Sequence, residues 1–340
     1  MKMRKNFTRI LAACALLPLT FALAKPAKAG GVSADTIALF PKETGEFGYV
    51  DLKKARTFAW FPALREQVLP ERFRQFEKFL ASAGVDPNSQ VDELTWGLVP
   101  EVMTKNDKGV STDVPSSELT LGIATGTFSP DSTEAYFKQQ KLPTAKVDDF
   151  TLYAFGSGAG GGDLYFFFLD SGRAVFGQKA LLEKLLEIRL GREDGLIRNE
   201  QMYNLINEAN NSGEVWAVLD PGYTRLAMKQ LAPEMQQFPE AAALIQNMKA
   251  LIITATASSG VDAKFQAVCG STQDANTLSQ LLAAGLLYKK YQASKDDPDL
   301  GQLLDQANVT PSGDRMVISL SVSNDQMTSL IRHNAFGIKM

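Results

Sequence analysis

The stretch FGSGAGGGDLYFFFL, residues 155 to 169, carries Gly156-x-Gly158-x-x-Gly161, the spelling of a dinucleotide-binding loop. Its reading decides between a doubly wound nucleotide fold and an antiparallel one. The run before it, FTLYAF, has the strand character that a nucleotide loop requires. The run after it, DLYFFFLDSGRAVFG, is aromatic and branched and reads as two further strands, so no helix opens at the glycines. Without a helix N-terminus, neither a dipole nor a fan of backbone N–H groups is available to a pyrophosphate. No Lys-Ser or Lys-Thr pair closes a P-loop. The glycines therefore read as a hairpin connection, like Pro311-Ser312-Gly313-Asp314 further along, a turn between two more strands.

Outward from this hairpin the chain repeats itself. GEFGYVDLKKAR, from Gly45, and GEVWAVLDPGYTRLAMKQL, from Gly213, both open on Gly-Glu and run through an apolar strand. They end on Asp51 and Asp220, favoured helix N-caps, the second with Pro221 at the first helical position. Capping, rather than an acid pair, is the reading of these two aspartates. Helical sequence follows in both halves. In LPERFRQFEKFLASAG, Leu69, Phe73, Phe76, Phe79, Leu80 and Ala83 recur near the helical period, with Arg72, Arg74, Glu77 and Lys78 between them. YTRLAMKQL and PEAAALIQNM take that place in the second half.

Strand pairs come next, VDELTWGLVPE with SELTLGIATGTF, and then KALIITATASSGVDAKFQAVCG. Ser129-Pro130-Asp131, Ser271-Thr272-Gln273-Asp274 and Ser323-Asn324-Asp325-Gln326 each place serine between strand and helix, the latter two resembling capping boxes. The prediction is an α+β fold, a tandem duplication of an antiparallel sheet unit with helices packed mainly on one face. The first unit is expected over residues 31–195 and the second over 205–340, joined at Gly191-Arg192-Glu193-Asp194-Gly195. YFFFL and RAVFG give the first unit an extra strand.

The chain opens MKMRKNFTRI, continues through LAACALLPLTFALA and reaches Ala27-Lys28-Ala29, which reads as a cleaved secretory signal peptide, residues 1–29, cut after Ala29. The apolar run contains Pro18 and falls short of the about 20 residues of a membrane span. Leu11-Ala12-Ala13-Cys14 spells a lipidation box, but most of the apolar run follows the cysteine instead of preceding it. Removal of the signal leaves 311 of 340 residues and takes away 6 of the 35 basic side chains and none of the 38 acidic ones, so the net charge moves from −3 to −9. Such a surface disfavours nucleic acid and anionic membranes as partners. The expected location is the periplasm or the exterior of a bacterial cell.

Catalytic chemistry has few places to stand. Cys269 is the only cysteine after cleavage, which excludes an internal disulfide, and its alternating context, Val261 to Gly270, points to burial. The only histidine, His333, lies at a helix end, where a cation suits the helix dipole. One Cys and one His cannot assemble a zinc site, and no cofactor is expected. Lys295-Asp296-Asp297-Pro298-Asp299 lacks the ligand spacing and turn glycine of a calcium loop and reads as a linker between helices ending near Ala293 and beginning near Leu300. No G-x-S-x-G elbow occurs. Paired carboxylates for polymer hydrolysis stay open, unmarked by any motif. Two stretches suit contact with a partner: the aromatic cluster Phe58, Trp60 and Phe61, and the polar loop Met103 to Ser117.

DTIALFP (Asp35 to Pro41), GYVDL (Gly48 to Leu52), ASAGVD (Ala81 to Asp86) and RAVFG (Arg173 to Gly177) together resemble exported bacterial proteins grouped under a domain of unknown function. The resemblance covers most of the mature chain, implies an α+β protein of the envelope or exterior, and carries over no catalytic residue. Two functions are carried forward: a non-catalytic envelope protein binding a protein, peptide or apolar ligand, and a hydrolase of envelope polymers using an Asp/Glu pair.

Overall fold

The structure is a computed structural model. It describes residues 31–69, 71–100, 118–158, 160, 163–231, 239–296 and 298–333. The expected signal peptide, Cys14 and the loop Met103 to Ser117 lie outside these residues.

The chain adopts an α+β fold in which every named strand pairing is antiparallel. Among the described residues, no helix is long and apolar enough to cross a membrane. The contacts divide the chain into two compact units. The first comprises Gly31–Lys54 and Leu69–Asn207; the second groups Ala55–Val68 with Glu208–Met340. The chain thus leaves the first unit for 14 residues, Ala55–Val68, and returns to it.

In the first unit the strands are β1 (Glu46–Asp51), β2 (Val91–Pro100), β3 (Glu118–Gly126), β4 (Thr144–Val147), β5 (Phe150–Phe155), β6 (Leu164–Asp170) and β7 (Arg173–Gln178), in the order β1-β2-β3-β7-β6-β5-β4. Its helices are α1 (Ala34–Ala38), α2 (Leu52–Ala55, whose last residue groups with the second unit), α4 (Glu71–Ser82), α5 (Pro87–Gln90), α6 (Pro130–Gln139) and α7 (Lys179–Arg189), with α8 (Glu200–Ala209) running out across the boundary. The second unit holds α3 (Phe61–Val68), β8 (Val215–Leu219), α9 (Pro221–Leu231), α10 (Pro239–Gln246), β9 (Ala250–Ala257), β10 (Gly260–Val268), α11 (Thr272–Asp296), α12 (Pro298–Asp305), β11 (Asn308–Ser312), β12 (Arg315–Ser323) and α13 (Asn324–Arg332), with strand order β8-β9-β10-β12-β11.

The duplication is visible in these orders. Three strands form a meander, β1-β2-β3 or β8-β9-β10, and a helix follows the third. A later hairpin, β6-β7 or β11-β12, then adds its second strand to that third strand, and a helix follows again. The first unit extends the edge with β4 and β5. The caps repeat as well: Asp51 Oδ1 accepts from Lys54 N at 2.7 Å and Asp220 Oδ1 from Tyr223 N at 2.8 Å. Ser323 makes the full capping box with Gln326, Ser271 Oγ accepts only from Asp274 N at 3.1 Å, and Ser129 makes no side-chain cap.

Burial follows from the strand sequences. In β6, all residues from Leu164 to Leu169 are buried, so both faces of the sheet there need cover. On one face Ala124, Tyr153, Phe166, Phe168, Ala174 and Phe176 meet Phe76, Phe79 and Leu80 of α4 and Phe137 of α6. On the other, Phe167 packs edge-on against Phe150, 5.3 Å between centroids, and Arg189 of α7 lies 5.2 Å above the Phe150 ring. In the second unit, β10 alternates Val261, Ala263, Phe265 and Ala267 inward with Asp262, Lys264 and Gln266 between them. The residues opposite the inward set are apolar on both neighbours: Ala257, Ala255, Ile253 and Leu251 on β9, and Val322, Leu320, Ile318 and Met316 on β12. This agreement fixes the register, because a slip of one residue would turn every apolar side chain to the wrong face.

Candidate functional site

The glycine-rich loop joins β5 to β6, which pair antiparallel on either side of it. Among its described residues, Gly156 (φ 136°) and Gly158 (φ 72°) take backbone conformations that favour glycine. The loop does gather backbone N–H groups, and Asp163 supplies their anion. Its Oδ2 accepts from Gly158 N at 2.8 Å, Gly160 N at 3.2 Å and Ser157 Oγ at 3.0 Å. The Tyr165 hydroxyl closes the turn by donating to Gly158 O at 2.9 Å. The chain's own carboxylate thus sits where a phosphate reading would place its ligand.

The aromatic cluster is placed within the second unit. Phe58 stacks on Trp60 with centroids 5.2 Å apart and rings 6° from parallel. Trp60 is 8% exposed and its Nε1 donates to Asn324 Oδ1 at 2.9 Å. Phe61, half-buried, opens α3. His333 is the exposed C-cap of α13, and Cys269 is buried, with desolvation pushing its thiol up. The expected linker at Lys295 to Asp299 is short: α11 runs to Asp296 and α12 begins at Pro298.

Carboxylates converge in two places on the first unit's sheet. Burial raises the Glu46 carboxyl above its usual range; the Trp96 indole, donating to Oε1 at 2.9 Å, opposes the rise, and the charge of Glu118 adds to it. Glu118 is itself raised by burial. Asp51 and Glu93 stand directly opposite each other on β1 and β2, but Asp51 caps α2 and Glu93 accepts the Tyr49 hydroxyl at 3.1 Å.

In the second unit, burial pushes the Asp262 carboxyl up to about 6, opposed only by the Ser321 hydroxyl at 3.3 Å. Thr256 and Ser321, the residues opposite it on β9 and β12, carry no charge to stabilise the anion. A carboxyl raised in the folded state keeps its proton longer folded than unfolded. Its destabilising effect is therefore absent below the ordinary 3.8, grows as pH rises, and is complete above about 6. Asp262→Asn should raise urea stability at about pH 7.5 by about 1 kcal/mol or less, the side chain being partly solvated, and leave it unchanged near pH 3.5. Equal gains at both pH values would contradict this account.

Among the described residues, the most exposed large apolar side chains lie on α11. Leu287, Tyr288 and Tyr291 are 67%, 63% and 65% exposed. With Gln280 and Ala284, also exposed, they recur at i, i+4, i+7, i+8 and i+11, which is one helix face. The opposite side of the same helix buries Ala275, Leu278 and Ser279, and Lys290, flanking the stripe, lies 3.9 Å from the Asp305 carboxylate of α12. Isolated exposed leucines are ordinary; three large neighbours on one stripe form a patch of the kind that marks an interaction surface. The signal in the sequence was LSQLLAAGLLYKKYQ, which is apolar on more faces than a helix at the rim of a sheet can bury.

No protein-family model matches the chain, and no curated relative matches it in sequence. Among solved structures it is similar to crystal form I of TP0453, at 12% identity and a TM-score of 0.46, over 91% of this chain and 99% of that one. Crystal form IV of TP0453 gives 12% identity and a TM-score of 0.45, over 87% and 95%. At these values the likeness supports no inference about ligand or activity.

Proposed function

We propose that the chain is an exported, non-catalytic envelope protein that binds a protein partner through the Leu287, Tyr288 and Tyr291 face of α11. The exposure of these three residues on one stripe is the observation that carries this reading. Tyrosine with leucine is the composition of interface centres, where rigid rings give contact area at low entropic cost. A net charge of −9 after removal of the expected signal argues against an anionic lipid surface as the occupant. The residue types most used in catalysis have structural settings: His333 is an exposed helix cap, and Cys269 is buried with its thiol protonated.

The test is a photo-crosslinking residue at position 288 of the full chain, expressed with its leader in its own host. One discrete adduct is expected, and Leu287→Glu should weaken its formation by about 30-fold, the effect of losing a centrally placed apolar contact. Thermal stability should hardly change, because surface substitutions shift it by only about 0.5 kcal/mol. A well-folded protein that gives no adduct from position 288 or 291 would remove the proposal.

The second reading, a hydrolase of envelope polymers, has the Glu46 and Glu118 carboxyls in its favour, both raised by burial, with the charge of Glu118 adding to the rise at Glu46. Glu46→Gln and Glu118→Gln should each abolish any hydrolysis of envelope glycans; activity that survives both variants would exclude this pair.

A further inference from the structure

Gly48 of β1, Trp96 of β2, Gly122 of β3 and Phe176 of β7 stand in one row across four strands of the first unit. A Cβ at Gly48 would run into Cζ2, Cε2 and Cη2 of Trp96, and one at Gly122 into Cζ, Cε1 and Cε2 of Phe176, so each ring lies with a face across a glycine. Phe73 and Phe76 of α4 lie against Phe176, with centroids 6.2 and 6.1 Å away. Trp96 has no such cover: among the described residues no ring lies against it, and it is only half-buried although one face is spent on Gly48. Its exposed part is therefore the face turned away from the sheet.

An acidic rim borders this ring. Glu46, Leu98 and Thr120 stand in register one pleat from the aromatic row, with Glu118 two residues before Thr120, all on the face that carries Trp96. The indole Nε1 donates to Glu46 Oε1 at 2.9 Å, which fixes ring and carboxyl side by side, and Oε2 accepts no hydrogen bond from a described residue. No described Lys, Arg or His pairs with Glu46 or Glu118, and the charge that Glu118 places on Glu46 is repulsive. Partly desolvated carboxyls without a counter-ion destabilise a fold, and a cation held beside them offsets that cost. Among the described residues no group of three or more His, Cys, Asp or Glu could hold a metal ion, so an organic cation fits these two carboxyls better than a metal does.

We propose that this surface binds a small organic ammonium ion, the cation resting on the outer face of Trp96 with Glu46 and Glu118 as its counter-charges. Indole is the best aromatic face for a cation, and aromatic surfaces are the usual receptors of quaternary ammonium groups. A net charge of −9 after removal of the expected signal draws cations toward the protein. The site shares its carboxyls with the hydrolase reading but cleaves no bond, so it stands or falls by binding alone.

Isothermal titration of the full exported chain with choline, and with the uncharged isostere in which carbon replaces the ammonium nitrogen, tests it. Choline should bind, and the isostere should bind about 10-fold more weakly or worse. Glu118→Gln changes an exposed side chain and should weaken choline by about 10-fold, as should Trp96→Leu. Equal binding of the two compounds would mean an apolar contact without charge recognition and would overturn the proposal. So would a folded protein that does not bind choline, or choline binding that Glu118→Gln leaves unchanged. Choline binding without glycan hydrolysis supports this site and removes the hydrolase; hydrolysis without choline binding does the reverse.

Discussion

Phe137→Ala should lower the stability of the first unit by about 4 kcal/mol, within the range for removing a fully buried phenylalanine. Phe137, on α6, is 1% exposed and is the ring on which the cluster between sheet and helices converges. It stacks on Phe79 of α4 with centroids 5.5 Å apart and rings 9° from parallel. It lies 5.0 Å from Tyr153 of β5 and meets Phe166 of β6 edge-on at 5.9 Å. Truncation leaves a cavity lined by three rings from three elements, and strands held in a sheet cannot collapse into it. The neighbouring Tyr136→Ala is the control: that ring is half-buried, and its hydroxyl reaches only Ser82 Oγ at 3.2 Å, so about 1 kcal/mol is expected. Urea unfolding followed on the first unit's transition measures both. A Phe137→Ala loss below about 2 kcal/mol would mean that the site relaxes and that the rings are not jointly constrained.

The same cluster shows what could be read from the sequence. The spacing of Phe73, Phe76, Phe79 and Leu80 announced a helix with one apolar face, and α4 buries Phe76 and Leu80 on it. LYFFFL following a glycine loop announced a strand and excluded a nucleotide fold, and its unbroken apolar run carried the further information that both faces are covered. Asp163, which fills the glycine loop, was also in view, eight residues after the strand entering that loop ends at Phe155. Its role needs the left-handed backbone at Gly158 that aims the N–H groups, and spacing alone does not specify that conformation.

Two features were not legible, for one physical reason. Amphipathic spacing says that a helix face is buried, never against what. FPALREQV is a short amphipathic helix wherever it docks; that it lies along α13, some 264 residues away, depends on partners such as Asn324 that no local pattern singles out. In α11 the problem is inverted. LLAAGLLYKKY supplies more apolar faces than its neighbours cover, and only the packing shows that Leu278 is buried while Leu287 is exposed. The aromatic cluster at Phe58 to Phe61 and the stripe on α11 look equally adhesive as sequence. Only the second is exposed when the chain is folded and docked.

Gly126→Ala should cost about 3 kcal/mol, more than Gly122→Ala four residues earlier on the same face of β3. In both cases a methyl group meets an atom at an impossible distance, but the atoms differ in what they can do. At Gly122 the new Cβ would lie 2.1 Å from Cζ of Phe176, the tip of a ring. That ring can swing, weakening its contacts with Phe73 at 6.2 Å and Phe76 at 6.1 Å, an overpacking cost of about 1–3 kcal/mol. At Gly126 the Cβ would lie 1.9 Å from the carbonyl oxygen of Gln90, with Gln90 C and Val91 Cα next, all of them backbone. That backbone is pinned: Thr127 N donates to Gln90 O at 3.0 Å, Gly126 N to Gly172 O at 2.9 Å and Phe128 N to Ser171 O at 2.9 Å. Relief means breaking this lattice where β3 hands the chain to α6, so the start of α6 and the seat of Phe137 should loosen with it. Chemical denaturation of the two alanine variants orders them, and near-UV circular dichroism should show a loss of aromatic asymmetry in both. If Gly122→Ala proves the costlier, the ring cluster is the stiffer body and the sheet edge yields around it.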